Sequence, residues 1–152
     1  MAQPPFLQET RCQPVSPLAA EDREAPETVW IWGLPFARMN REQTLAAVDR
    51  LIARGEPSFF ITANVQYAML CDGDARLAEV NGRAAFLVAD GMPMVWYSRL
   101  LGRPLPERVA GADLIYPLAR QAAERGHRVF FFGGRPGVAE AAATVLSWKY
   151  PG

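Results

Sequence analysis

Apolar residues in this chain gather into short runs, and longer stretches with helical spacing separate those runs. The runs are rich in β-branched and aromatic side chains, which is typical of buried strands. They cover Val29–Trp32, Ser58–Ala63, Ala84–Ala89 and Arg128–Phe132, and Gly33 and Pro35 are interpreted as the end of the first run. The intervening helices are predicted after Asn40 and over Val65–Cys71, Ala75–Asn81, Pro93–Leu101, Ala112–Arg125 and Pro136–Trp148. Strands that alternate with helices and read as continuous apolar runs predict a mainly parallel sheet with helices on both faces. We therefore expect an α/β fold, a Rossmann-like three-layer sandwich.

Polar and glycine residues mark where several of these helices begin and end. Asn40 is followed three positions later by Gln43, the pattern of a capping box, and Gly55 ends that helix. Asp72 and Asp74 lie one residue apart, a spacing that can also hold a metal ion. The helix before them leads back toward the amino edge of the sheet, away from a ligand crevice, so we favour a turn in which Asp74 caps the next helix.

Composition narrows the class of protein. The 152 residues carry sixteen basic and sixteen acidic side chains, so no basic surplus indicates nucleic acid binding. Residues 1–26 hold five of the thirteen prolines and no apolar periodicity, which predicts a flexible leader before a domain at 27–152. No signal peptide precedes Cys12 and Cys71, so we expect free thiols and a cytoplasmic location.

Polar groups follow three of the predicted strands. Thr62 and Asn64 end the second strand, Asp90 and Gly91 follow the third, and residues 133–137 follow the fourth. Ligands of open parallel sheets bind beyond the carboxyl ends of the strands. The sequence therefore predicts one site at this edge, in which Asp90 is a candidate base for an incoming hydroxyl.

Each of these signals has a second interpretation. Asp90 could instead ligate a metal or cap the following helix, and capping alone is as common as catalysis at such a turn. Gly133, Gly134 and Gly137 could present backbone N–H groups to a phosphate, or could form only a tight turn. Arg108, eighteen positions after Asp90, could clamp a phosphate or remain a solvated surface charge.

At these residues the chain resembles the WecG/TagA/CpsF family of bacterial glycosyltransferases. The resemblance runs from Thr28 to the last residue and depends on several short motifs in a fixed order. They are residues 33–36 (GLPF), 62–64 (TAN), 89–91 (ADG), 108–114 (RVAGADL) and 129–140 (VFFFGGRPGVAE).

The resemblance implies an inverting, metal-independent transfer of a sugar from a UDP-sugar to a saccharide linked to polyprenyl diphosphate. Its products would enter cell-surface polysaccharides or exopolysaccharides, at the inner face of the cell membrane. Asp90 would be the base, Thr62, Asn64 and Gly91 would shape the substrate pocket, and Arg108 would bind the acceptor or the departing diphosphate. The resemblance implies no cofactor.

Members of this family continue beyond the position where this chain stops. They add further strands, a glutamine-bearing motif and a basic segment tied to membrane contact. We therefore expect part of the nucleotide pocket and the peripheral membrane contact to lie outside these 152 residues. The alternative function is an inactive fragment or a nucleotide-sugar-binding module. An unpaired sheet edge and uncovered aromatic residues favour a homo-oligomer.

Overall fold

A computed structural model describes residues 26–152, so the predicted leader and Cys12 lie outside the described residues. The described residues form four strands and six helices. They are β1 (Thr28–Ile31), β2 (Leu34–Ala37), α1 (Arg41–Arg54), β3 (Ile61–Ala63), α2 (Val65–Cys71), α3 (Ala75–Arg83), β4 (Leu87–Ala89), α4 (Met92–Leu100), α5 (Gly111–Arg125) and α6 (Val138–Lys149). They form two compact units, of which the first ends at Ala110 and the second is Gly111–Gly152.

The first unit contains an open four-stranded sheet with the order β1-β2-β4-β3. The strand β4 is parallel to both of its neighbours, with Leu87 opposite Phe36 on one side and opposite Ile61 on the other. The pair β1 and β2 is antiparallel. The predicted α/β class with a mainly parallel, Rossmann-like sheet is confirmed, and an antiparallel edge strand is added to it.

The antiparallel pair was not predicted, because Pro35 was interpreted as the end of a strand. The structure instead joins β1 and β2 through two residues, Trp32 and Gly33, between the paired residues Ile31 and Leu34. Both turn residues have positive φ, 49° for Trp32 and 76° for Gly33. This is the backbone of a type I′ turn, whose twist matches that of a two-stranded hairpin.

Two predicted helix caps are confirmed. Asn40 and Gln43 form a capping box at the start of α1, and Gly55 ends that helix with a φ of 69°. Asp74 accepts hydrogen bonds from the backbone N–H groups of Arg76 and Leu77 at 2.8 and 3.2 Å, which caps α3. Asp74 is therefore the cap of α3, as the sequence indicated.

The core of the first unit lies against the sheet and beneath α4. Its members are fully or almost fully buried apolar side chains from the strands and from α4, including Val29, Ile31, Phe36, Leu87 and Met94. The predicted strand Ala84–Ala89 is thus buried as expected, although only Leu87–Ala89 has strand geometry. Burial on both faces explains why its sequence is a continuous apolar run.

The prediction of a fourth strand at Arg128–Phe132 is wrong. Residues 127–133 have no regular secondary structure, and Phe130 and Phe132 are exposed. A strand needs the backbone of a neighbouring strand to satisfy its N–H and C=O groups. Within its own unit this segment has only α5 and α6 beside it in sequence, so an apolar run alone was not sufficient.

The second unit otherwise follows the sequence. Gly126 has a φ of 68° and ends α5, and the backbone N–H of His127 donates to the carbonyl of Ala122 at 2.8 Å. Leu114 of α5 and Leu146 of α6 are buried. Both helices occur at the predicted positions, shifted by one or two residues at their ends.

Candidate active site at the carboxyl edge of the sheet

The carboxyl ends of β2, β4 and β3 lie along one edge of the sheet, because these strands are parallel. Asp90 is the first residue after β4, the strand between the other two. Its backbone N–H donates to the carbonyl of Ala63 at 2.9 Å, and the N–H of Val109 donates to the carbonyl of Ala89 at 2.8 Å. Backbone hydrogen bonds on both sides therefore fix the position of the Asp90 backbone.

Arg108 lies beside Asp90, although eighteen residues separate the two in sequence. Its Nη1 atom is 3.8 Å from Oδ1 of Asp90, and both side chains are partly exposed. A carboxylate and a guanidinium at this distance form an ion pair, and solvent can still reach both. The structure thus brings these two residues together, and their chemical roles stay predictions.

Thr62 lies in the neighbouring strand β3 and Asn64 comes directly after it, so both are near the same edge of the sheet. In the register of β3 and β4, Thr62 lies opposite Val88 and Ala63 lies opposite Ala89, so the next position along places Asn64 beside Asp90. Asn64 also has a local task, because its Oδ1 accepts a hydrogen bond from the N–H of Tyr67 at 2.9 Å and caps α2. The sequence signal for this cap was an asparagine directly before an apolar helix.

Gly91 occupies the N-cap position of α4 and, as a glycine, supplies no side-chain cap. Asp90 lies one residue before this N-cap position. The φ of Gly91 is 166°, an extended conformation that any residue adopts. A methyl group at this position would meet only the ring of Pro93 at an ordinary distance of 3.7 Å.

Arg108 lies in the loop between α4 and α5, residues 101–110. Several contacts fix this loop to the rest of the first unit. Nε of Arg38 donates to the carbonyl of Pro104 at 3.0 Å, and the buried Ser98 hydroxyl accepts from the N–H of Leu105 at 2.9 Å. The backbone N–H of Arg41 also donates to the carboxylate of Glu107. These contacts reduce the freedom of the loop before any ligand binds.

A cluster of three charged residues supports the same loop. Glu27 accepts a hydrogen bond from Nη1 of Arg38 at 2.8 Å, and Arg103 lies 3.7 Å from its other oxygen. The hydrogen bond from Arg38 and the charge of that residue lower the pKa of Glu27, and Arg103 adds a smaller effect in the same direction. Sequence analysis missed Arg38 because it follows β2, the strand that was not predicted.

The side chain of Tyr67, three residues after Asn64, packs against the core of the first unit. Its hydroxyl donates to Oδ1 of Asn81 at 2.6 Å, and Nδ2 of Asn81 donates to Sγ of Cys71 at 3.4 Å. Burial, and to a lesser extent Cys71, raises the pKa of Tyr67 to about 12. The phenol therefore remains protonated at neutral pH and acts as a hydrogen-bond donor. Cys71 is a free thiol, as expected.

The glycine-rich segment 133–137 does not follow a strand, contrary to prediction. Gly133, Gly134 and Gly137 have φ angles of 103°, 82° and 84°, a region that favours glycine. Gly137 is the N-cap of α6 and has no side-chain hydrogen bond there. The conformation explains the glycines as a tight turn, and phosphate binding by them stays a prediction.

Other features of the described residues lie elsewhere or give no site. Two concavities of about 490 and 780 Å³ share Leu51, Pro57, Ser58 and Phe59, at the amino end of β3 and away from Asp90. Within residues 26–152 no group of three or more His, Cys, Asp or Glu side chains could hold a metal ion. Over the same residues, none of the helices is long and apolar enough to cross a membrane.

Comparison with known proteins adds independent information. The model of a family described as the glycosyl transferase WecG/TagA/CpsF family matches residues 29–152. A relative from Bacillus spizizenii is 33% identical over 95 residues, which are 62% of this chain and 37% of the relative. A relative from Staphylococcus aureus is 27% identical over 136 residues, 88% of this chain and 54% of the relative.

Both relatives carry the name N-acetylglucosaminyldiphosphoundecaprenol N-acetyl-beta-D-mannosaminyltransferase. The chain spans about half the length of the longer match and somewhat more than a third of the other. The segment that matches the family begins at the second residue of β1. It therefore contains the rest of the sheet, together with Asp90 and Arg108.

Proposed function

This chain belongs to the WecG/TagA/CpsF family of glycosyl transferases, and from that membership we propose that it transfers a sugar from a UDP-sugar to a saccharide linked to polyprenyl diphosphate. The observation that carries the proposal is the position of Asp90. Its carboxylate lies at the carboxyl end of the central parallel strand, reachable by solvent and 3.8 Å from Arg108. Ligands of such sheets bind at this edge.

The reaction is a single displacement with inversion at the sugar carbon. The acceptor hydroxyl oxygen forms a bond to C1 of the donor sugar while the bond from C1 to the UDP oxygen breaks. Asp90 takes the proton of that hydroxyl, which makes the oxygen a better nucleophile as the new bond forms. One carboxylate is sufficient for this chemistry, because the diphosphate leaves as an anion and needs no general acid to protonate it.

Arg108 stabilises the negative charge that develops on the leaving group. Departure of UDP leaves negative charge on its diphosphate, and a guanidinium binds such oxygens with two parallel hydrogen bonds. Its ion pair with Asp90 keeps the guanidinium beside the base before substrate arrives. Thr62 and Asn64, at the end of β3, contribute the short polar side chains of the pocket, and Gly91 contributes backbone to its wall.

The names of the two relatives guide the choice of substrates. Their acceptor is N-acetylglucosamine linked through a diphosphate to undecaprenol, and the transferred group is an N-acetyl-β-D-mannosaminyl unit. For this chain we propose the same classes, a lipid-linked amino sugar as acceptor and an N-acetylhexosamine as donor group. A β-linked product from an α-linked UDP-sugar agrees with inversion. The reaction would take place at the cytoplasmic face of the membrane and without a metal.

A matched pair of substitutions tests the role of the base. Asp90→Asn removes the proton acceptor but keeps the shape of the side chain, so we expect the transfer rate to fall by roughly 10²- to 10⁴-fold. Asp72→Asn makes the same change at the exposed end of α2 and should leave the rate unaltered. Product formation on a lipid-linked acceptor measures both. An unchanged rate in Asp90→Asn would remove the assignment of Asp90.

A second measurement separates catalysis from binding alone. UDP and UDP-N-acetylhexosamines are titrated into the 152-residue chain by calorimetry, and the same sample is assayed for product. Product formation supports the proposed enzyme. Binding without product would instead identify a nucleotide-sugar-binding module, and the absence of both would reject the proposal for this chain.

A further inference from the structure

One face of α4 carries a continuous apolar stripe that the core does not use. Met92, Trp96 and Leu100 are spaced four residues apart and therefore lie on the same side of the helix. All three are exposed, Trp96 by 56% and Leu100 by 83%. The opposite side of α4 supplies the buried residues Met94 and Val95, so the stripe faces away from the sheet. Packing of the first unit does not explain it.

The tip of the β1–β2 hairpin extends this apolar surface. The ring of Trp32, at the turn, lies 5.1 Å from the ring of Tyr97 on α4, and Trp32 itself remains exposed. Tryptophan side chains with one apolar and one polar edge are enriched where proteins meet the interface of a bilayer. Two of them, Trp32 and Trp96, thus occur on one surface around α4.

Charge distinguishes this surface from a second exposed apolar pair. No acidic residue lies within α4, and the exposed Arg99 occupies its last turn, whereas Arg103 just beyond the helix already faces Glu27 at 3.7 Å. Met69 and Leu70 on α2 are equally exposed, but Asp72 and Asp74 follow them directly. Anionic lipid headgroups attract basic residues and repel acidic ones. The stripe on α4 is therefore complementary to such a membrane, and the pair on α2 is not.

The position of the base gives an independent reason to expect lipid here. A sugar joined to a membrane lipid by a diphosphate stays close to the headgroups, so the base must come close to the bilayer. The helix α4 begins two residues after Asp90 and is about 13 Å long. It is thus the element next to Asp90 in the chain that also exposes a long apolar face.

We propose that the Met92–Trp96–Leu100 face of α4, with Trp32 beside it and Arg99 at its end, is a surface that binds an anionic bilayer, in addition to the membrane contact that the family resemblance places beyond these residues. This inference rests on the proposed function, because a lipid-linked acceptor is what requires the contact. The apolar side chains enter the headgroup region, and Arg99 remains among the lipid phosphates. The bound orientation presents Asp90 to an acceptor that never leaves the membrane.

Flotation of the 152-residue chain with vesicles tests the surface directly. The vesicles contain phosphatidylcholine with or without 30 mol% phosphatidylglycerol, a composition of roughly the charge that attracts basic segments. We expect the double change Trp96→Gln and Leu100→Gln to lower the bound fraction roughly tenfold or more. Arg99→Gln should weaken binding about fivefold, and only on the anionic vesicles. Met69→Gln, which is 73% exposed on α2, is the matched control and should bind as the unaltered chain does.

Several results would overturn the inference. They are failure of the unaltered chain to float with anionic vesicles, equal binding by the double variant, or an equal loss in Met69→Gln. Sedimentation velocity without lipid is run in parallel. Concentration-dependent self-association that the double variant abolishes would assign the face to a second copy of the chain and reject the membrane. Circular dichroism checks that each variant keeps the helix content of the unaltered chain.

Transfer assays separate this inference from the proposed function. The double variant should keep its rate on a short-chain, water-soluble acceptor and lose roughly tenfold on the same saccharide in vesicles. Equal losses on both acceptors would reject a membrane role for the stripe. If the unaltered chain transfers no sugar to either acceptor, the proposed function fails, and vesicle flotation alone still decides whether α4 binds the bilayer.

Discussion

The turn after β4 and the glycine-rich turn before α6 both look like ligand-binding turns in sequence, but their surroundings differ. The first begins at a buried parallel strand, and hydrogen bonds to Ala63 and from Val109 fix its backbone on either side. The second follows a segment without regular structure, in which Phe132 is 95% exposed. Its own backbone bonds are local, such as that from Val138 to Arg135.

This difference shows what makes a strand end into a site. A carboxylate acts as a base only when it is held in place, and here the two neighbouring strands and the loop carrying Arg108 hold Asp90. Glycines that free a backbone for a phosphate do not by themselves fix that backbone. The neighbouring strand, more than the turn sequence, therefore distinguishes the two regions.

The largest expected difference is in stability. Phe36→Ala removes a fully buried ring from β2 and should lower the free energy of unfolding by about 3–5 kcal/mol. Phe132→Ala makes the same change at an exposed position and should alter it by less than about 0.5 kcal/mol. Urea unfolding followed by circular dichroism measures both. A large loss in Phe132→Ala would mean that the second segment is packed after all.

The next difference concerns ligand binding by arginine. Arg108→Ala should weaken the binding of UDP or of the acceptor by roughly 10- to 100-fold, since a hydrogen bond to a charged group contributes about 1.5–3 kcal/mol. Arg135→Ala changes the exposed arginine of the glycine-rich turn, where we expect less than about a threefold effect. Calorimetric titration with UDP compares the two variants. A greater loss in Arg135→Ala would reverse the ranking of the turns.

The smallest difference is a dependence on pH. The pKa of Glu27 is lowered from its usual value of 4.5 by Arg38, so its contribution to the α4–α5 loop is complete above that value and is lost as the pH falls through the lowered pKa. Hydrogen-exchange protection of the Val109 N–H should therefore fall in acid. Protection of the Ala141 N–H, bonded to Gly137 in α6, should not follow Glu27.

The substitution Glu27→Gln provides the control for this pH effect. It removes the titrating carboxylate, so the acid-dependent loss of protection at Val109 should become smaller, while Ala141 is unaffected. Mass spectrometry or NMR of exchanging amides gives both values in one sample. If Val109 loses protection equally with and without the carboxylate, Glu27 does not support the loop through its charge.

Local signals in the sequence were sufficient for much of this fold. The pair Asn40 and Gln43 and the cap at Asp74 each act within a few residues, so sequence spacing alone predicted them. The strands β3 and β4 were also recognised, because their apolar runs lie between clear helices. The position of Asp90 followed from β4, since parallel strands end at one edge.

The remaining features depend on neighbours that a pattern does not contain. Pro35 is interpreted from sequence as a break, but in β2 it pairs with Trp30 of β1 and has no paired residue in β4, so its missing N–H is tolerated there. Trp32 and Gly33 are not a typical hairpin dipeptide, so the turn gave no clear signal. Missing β2 also concealed Arg38, which reaches the loop around Pro104 from the end of that strand. The run at Arg128–Phe132 failed for the opposite reason, since it has strand composition but the described unit that contains it, Gly111–Gly152, has no strand.

The two-residue turn at Trp32 and Gly33 also has a consequence for the order of folding. Pairing of β1 with β2 requires only a short loop to close, and hairpins of this kind form in about 1–10 μs. Strand β4 must wait for the helices that connect it to β3, a longer closure with a larger entropy cost. We therefore expect the hairpin to form early and β4 to be added to it later, at Phe36. We expect Val29→Ala to slow refolding and Val88→Ala mainly to speed unfolding, and the opposite pattern in stopped-flow kinetics would refute this order.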